Sequence, residues 1–239
     1  MGLIVPAVLP ASKQELEEKL ALLTWIRSVS RVQIDVVDGK FATPASWPYS
    51  APQELRGMVE RGEMFPTPDR FEYEIDLMCL DAERAAGAWL ALGATRLTFH
   101  AESAVDLPRL LAGARRRYGA GTGFAPGLVS FGIALNIASD LALIEQIIGE
   151  IEYVQFMGIA RIGRQSEPFD RRVLEKVRTF RGRHPELPVQ VDGGISLESA
   201  KNLLALGVSN LVVGSALLKA HDPAATFAMF ENLQSPYGV

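Results

Sequence analysis

Two short stretches of this chain carry acids where acids are costly. Val32-Gln33-Ile34-Asp35-Val36-Val37-Asp38-Gly39-Lys40-Phe41 is a short apolar strand pattern that ends in two aspartates and a glycine. Val189-Gln190-Val191-Asp192-Gly193-Gly194-Ile195 repeats the arrangement, again with glutamine two residues before aspartate. A carboxylate at the end of a buried strand needs a cation, a hydrogen-bond network or a catalytic task to keep it there. Alternate strand residues share a face, so Gln33 and Asp35 point one way, while Ile34 and Val36 point the other, where a helix would cover them. Phe71 to Met78 adds a third set: Tyr73, Ile75 and Leu77 make an apolar face, and Glu72, Glu74 and Asp76 share the opposite one. Strands that bring carboxylates to one place can move protons on a bound molecule.

The elements that would position these residues alternate along the chain. Leu3 to Leu9 reads as a first strand. Ser12 with Glu15 gives a capping-box pattern before a helix carrying Leu16, Leu20, Leu23 and Ile26 at helical spacing. Arg31 to Val36 is the second strand. A long loop rich in Pro, Ser and aromatics, Phe41 to Pro52, follows, and loops of that length often border binding sites. The pattern then predicts helix Gln53 to Arg61, strand Phe71 to Met78, helix Asp81 to Leu92 closed by Gly93, and strand Thr95 to His100. Helix Leu107 to Tyr118 with a Gly-rich turn after it, strand Leu128 to Leu135, helix Leu141 to Glu150 and strand Tyr153 to Met157 come next. Helix Phe169 to Arg183, strand Val189 to Val191, helix Leu197 to Leu206 closed by Gly207 and strand Asn210 to Val213 complete eight units, with Gly214-Ser215 opening a last helical region. Most of the strand pieces are short and apolar, as strands covered on both faces should be. Eight units without a linker, and no GxGxxG or Walker A pattern, predict one closed (β/α)8 TIM barrel over residues 1–239, not an open doubly wound sheet.

Bulk properties narrow the partners. A net charge of -4 argues against a nucleic-acid binder, and Arg115-Arg116-Arg117 sits at an expected helix end, where cations suit the dipole. One cysteine, Cys79, and three histidines make a thiolate or His-rich metal cluster improbable. Leu3 to Leu9 is too short and too broken by proline to span a membrane or to serve as a signal core. A soluble, cytoplasmic protein is the expectation, without nucleic-acid or membrane partners.

In a barrel the active site lies at the C-terminal ends of the strands. Asp35, Asp76, His100, Asn136, Met157 and Asp192 all fall at or beside such ends. Phosphate in this fold often sits after strands seven and eight, which makes Gly193-Gly194 and Gly214-Ser215 the anion candidates. His100 reads more simply as a hydrogen-bonded structural residue, Asp38 as a turn cap and Cys79 as packing.

Here the chain resembles the ribulose-phosphate 3-epimerase family. The resemblance runs in order through Ile34-Asp35-Val36-Val37-Asp38-Gly39-Lys40-Phe41, Asp76-Leu77-Met78, Phe99-His100-Ala101-Glu102, Gly132-Ile133-Ala134-Leu135-Asn136, Val191-Asp192-Gly193-Gly194-Ile195 and Val213-Gly214-Ser215-Ala216. It implies interconversion of ribulose 5-phosphate and xylulose 5-phosphate with a divalent metal, Asp35 and Asp192 as the proton-transfer pair, and Met78 and Met157 lining the site, a third methionine being replaced by Val37. It also implies self-association, since barrels of this family commonly form homo-oligomers. The departures fall on the metal. The family's two metal-binding histidines align with Gln33 and Asp76, and its first-strand serine with Ala7. The glycine-rich loop after strand six is shorter and basic, Ala160-Arg161-Ile162-Gly163-Arg164, with Gly163 and Gln165 persisting.

Gln33, Asp35, Asp76 and Asp192 would make an oxygen-only metal site, suited to Mg or Mn over Zn or Fe. Without a cation the three aspartates repel one another unless protonated; a retained cation is the reading we favour from the sequence. Two alternatives stand beside a sugar-phosphate epimerase: a non-catalytic relative that binds a sugar phosphate, and a barrel decarboxylase or aldolase. The last lacks support, because Lys40 is the one lysine near either aspartate in the chain.

Overall fold

The computed structural model describes residues 3–118 and 129–234. Eight parallel strands form a closed barrel: β1 (Leu3–Val8), β2 (Arg31–Val37), β3 (Glu72–Met78), β4 (Arg96–His100), β5 (Ser130–Leu135), β6 (Tyr153–Met157), β7 (Val189–Asp192) and β8 (Asn210–Val213). Each pairs with the next, and β8 returns to β1 through Leu3 opposite Asn210 and Pro6 opposite Val213. The intervening helices are α1 (Lys13–Thr24), α2 (Pro52–Glu60), α3 (Ala82–Ala91), α4 (Leu107–Tyr118), α5 (Ala142–Glu145), α6 (Arg172–Arg183) and α7 (Leu197–Ala205), followed by α8 (Ser215–Leu218) and α9 (Pro223–Asn232). This is the TIM barrel expected from the sequence. Among the described residues no helix is long and apolar enough to cross a membrane.

Alternation along the strands sorts side chains into two environments. Ile34, Val36, Ile75, Leu77, Leu97 and Phe99 join the large core between barrel and helices. Inside the barrel, Val5, Ala7 and Val212 form a small apolar plug. Much of the remaining interior is polar, because Gln33, Glu74, Asp76, Thr98, His100, Gln155 and Gln190 are all fully buried.

Several boundaries differ from expectation for local reasons. The helix expected over Leu141 to Glu150 shrinks to α5 and a 3-10 turn at Ile148–Glu150, with Gly149, a poor helix former, in that turn. The helix expected from Phe169 begins at Arg172: Asp170 N donates to Gly158 O at 2.7 Å and Asp170 Oδ1 accepts from Arg172 N at 3.0 Å, so the preceding residues are tied to the end of β6. β7 runs one residue further than predicted, which places Asp192 within it. The Gly-rich turn after α4, and Leu128, lie outside the described residues.

The long loop after β2 is fastened to the barrel top. Trp47 is fully buried and donates to Glu54 Oε2 at 2.8 Å, Ser46 N donates to Val37 O at 3.0 Å, and Phe41 packs against His100 with ring centroids 5.3 Å apart.

Candidate functional site

Asp192 ends β7, and Asp35 and Asp76 lie two residues before the ends of β2 and β3. Parallel register sets Asp35 opposite Asp76 on β2 and β3, and Met157 opposite Asp192 on β6 and β7. One oxygen from each of Asp35, Asp76 and Asp192 lies within 4.8 Å of the others. Asp35 and Asp192 open into a cavity of about 270 Å³ at the strand ends, whereas Asp76 is wholly covered beneath it. The same cavity is lined by Met78 and Met157, by Gly193 and Gly194 after β7, and by Gly214 and Ser215 after β8. Gly163 and Gln165, from the altered loop, line it too.

The acids are tied to one another through neutral and basic partners. Gln33 Nε2 donates to Asp35 Oδ1 at 2.8 Å and to Asp192 Oδ2 at 3.0 Å. Asp76 Oδ1 lies 2.9 Å from His100 Nε2, and Asp76 Oδ2 accepts from Gln155 Nε2 at 3.0 Å. Burial raises the Asp35 carboxyl well above the usual carboxylate range, and the charges of Asp192 and Asp76 push it further. Burial and the Asp76 charge lift Asp192 to about 7, against the opposing pull of its Gln33 hydrogen bond and His100. For His100, burial works against the charged ring, but the adjacent Asp76 outweighs it and raises the imidazole above its ordinary value. His100 is fully buried and meets Asp76 through Nε2, while its buried Nδ1 has no hydrogen-bond partner among the described residues.

Three carboxylates at this spacing could hold one divalent cation. Gln33 departs from the expected ligand set: its nitrogen, not its oxygen, faces Asp35 and Asp192, so in this orientation it gives a cation no lone pair. Asp35, Asp76 and Asp192 remain as the oxygen donors.

Sequence reasoning missed Lys219, which lines the cavity and donates to Ser166 Oγ at 3.0 Å. A cation four residues after Ser215, one turn into the final helical region, was the available signal. Arg164 lines the cavity but donates its Nε to Thr43 O at 3.0 Å, and Arg161 pairs with Glu167 at 2.9 Å. Lys40 does not reach the cavity.

The sequence profile described as the ribulose-phosphate 3 epimerase family matches residues 3–218. The chain belongs to that family. Among relatives named ribulose-phosphate 3-epimerase, the Mycobacterium leprae protein is 29% identical over 230 residues, covering 95% of this chain and 92% of the relative. The Escherichia coli K12 protein is 25% identical, covering 92% and 90%. Solved structures share the fold at lower identity. KGPDC from Streptococcus mutans superposes with TM-score 0.70 at 16% identity, over 97% of this chain and 96% of the other. The 3-hexulose-6-phosphate synthase of Salmonella typhimurium superposes with TM-score 0.68 at 15% identity, covering 98% of both chains. In this family member the strand-end aspartates are held by hydrogen bonds from glutamines and a histidine.

Proposed function

We propose that this chain is an epimerase of a phosphorylated ketopentose, with Asp35 and Asp192 as its two proton carriers. The observation that carries the reading is that both carboxyls open into one cavity and are spanned by a single carboxamide, at 2.8 and 3.0 Å. Two carboxyls so close cannot both ionise easily, so near neutral pH one holds a proton while the other is free to accept one. In the reaction, the ionised member takes the proton from the carbon beside the ketone, and the carbon–hydrogen electron pair moves into an enediolate. The protonated member then delivers its proton to the opposite face of that carbon, inverting it. The pair ends with its proton exchanged between the two members, and the reverse reaction restores the starting state.

The phosphate would lie at the backbone turns of Gly193-Gly194 and Gly214-Ser215, with Lys219 at the rim. The names of the epimerase relatives and of the 3-hexulose-6-phosphate synthase support a sugar phosphate as the ligand class. A divalent cation held by Asp35, Asp76 and Asp192 would polarise the ketone and take up enediolate charge; oxygen-only donors favour Mg2+ or Mn2+. The decarboxylase reading is not favoured, because Lys219, the lysine at the cavity, donates to Ser166 and not to the aspartates.

Ribulose 5-phosphate incubated with the protein in D2O tests the proposal. The wild type should wash deuterium into carbon 3 and yield xylulose 5-phosphate; Asp35→Asn should reduce both by more than about a hundredfold. Tight ribulose 5-phosphate binding without any exchange would leave the chain a sugar-phosphate binder and sink the epimerase reading.

A further inference from the structure

Beneath the acids lies a layer of carboxamides whose direction is set from one point. Gln190 Nε2 faces three acceptors: Glu74 Oε1, Gln155 Oε1 at 2.8 Å and Gln33 Oε1 at 3.2 Å. Glu74 is fully buried and in turn accepts from Arg96 Nε at 2.9 Å and from Thr98 Oγ1 at 3.3 Å. A carboxylate paired with a guanidinium accepts hydrogen bonds and donates none, so Glu74 decides which end of Gln190 meets it. That end is the nitrogen. Its second N–H is left for the oxygens of Gln155 and Gln33, which both face it, with their nitrogens turned to the aspartates. Rotating either amide would set oxygen against carboxylate and nitrogen against nitrogen, a costly exchange for fully buried groups.

We propose that Arg96, Glu74 and Gln190 fix the polarity of this layer, and that Gln33, oriented by it, is a positioning residue giving one N–H each to Asp35 and Asp192. The inference deepens the proposed epimerase mechanism and rests on the two aspartates being its proton carriers. It has two consequences. A single planar group spanning both carboxyls holds them in fixed relation to the carbon between them. The same N–H groups also occupy oxygen lone pairs that a cation would use, so divalent ions bind the three aspartates more weakly than they would with the layer unlocked.

Calorimetric titration of the intact chain with MnCl2 alone, together with steady-state kinetics on ribulose 5-phosphate, tests this. Gln190→Leu frees Gln33 and Gln155 to rotate, and should tighten Mn2+ binding about tenfold. Gln33→Leu should lower kcat about 10- to 100-fold with KM little changed, as loss of an orienting partner does. A purely packing role for Gln33 would change thermal stability without separating kcat from KM. Unchanged Mn2+ affinity in folded Gln190→Leu, or unchanged kcat in Gln33→Leu, overturns the proposal.

If Gln190→Leu does not fold, the wild type decides by 15N NMR. Among the slowly exchanging side-chain NH2 pairs, one should vanish in Gln33→Leu and shift in Asp192→Asn; absence of such a pair overturns the lock. Should the wild type prove unable to epimerise, the proposed function fails, while the Mn2+ affinities and the NMR signal still answer for the lock.

Discussion

Asp192 is pushed towards its neutral form by burial and by Asp76, and the hydrogen bond from Gln33 only partly offsets them, leaving it at about 7. From its ordinary value near 3.8 to about 7, the folded protein keeps a proton that the unfolded chain has released, so stability falls as pH rises through that interval. Asp35 has the same sign. His100 also contributes stability at low pH that is lost as pH climbs past its raised value. We expect thermal unfolding in the presence of a chelator to show Tm falling between about pH 4 and pH 7, with a loss of stability on the order of a few kcal/mol. Asp192→Asn should flatten much of that slope; parallel pH profiles for the two proteins would refute the assignment. Which residues carry acid was plain from the sequence, since Asp35 and Asp192 end matched strand patterns. The direction of Gln33 was not. It depends on Asp192 and Gln190, 159 and 157 positions away, and no local pattern encodes which end of an amide meets them.

At the scale of elements, the turn between β7 and α7 does the most positioning. Gly193 and Gly194 adopt φ of +104° and +67°, a region where a side chain is strained. A Cβ at Gly194 would also fall 2.6 Å from the backbone of Phe169, which cannot swing aside as a side chain could. Gly194→Ala should therefore displace the β6–α6 connection and the proposed phosphate turn together. The expected cost is about 1–3 kcal/mol in urea unfolding, with KM for the sugar phosphate raised. An alanine variant of wild-type stability and KM would count against this role. Strand positions were legible because burial on both faces leaves short apolar runs, and the alternation of Glu72 to Met78 separated its polar face. The extent of α5 and the start of α6 were not: Gly149 falls in the 3-10 turn that replaces the end of the expected helix, and the hydrogen bond from Asp170 N to Gly158 O ties down the residues before α6.

The molecule as a whole has an unusual interior, since a barrel of this kind is ordinarily filled by Val, Ile and Leu. Here the Glu74–Arg96 pair lies at the base of the polar column, with Arg96 stacked over Tyr153 at 4.0 Å from the ring centroid. Arg31 approaches Glu74 only to 4.0 Å. Removing the guanidinium in Arg96→Leu leaves a buried carboxylate poorly compensated and should cost about 3–5 kcal/mol. Arg96→Leu combined with Glu74→Leu should recover part of that loss in the same unfolding measurement, because the stranded charge goes as well; a double variant less stable than the single would contradict it.

The ring of strands has a consequence for contact between copies. Among the described residues every strand already has a neighbour on both sides, so none of these strands offers a free edge for another chain to extend. For the described residues, contact between copies would then fall to side chains and connecting segments, where recognition is set by shape and chemistry and not by pairing of strand edges.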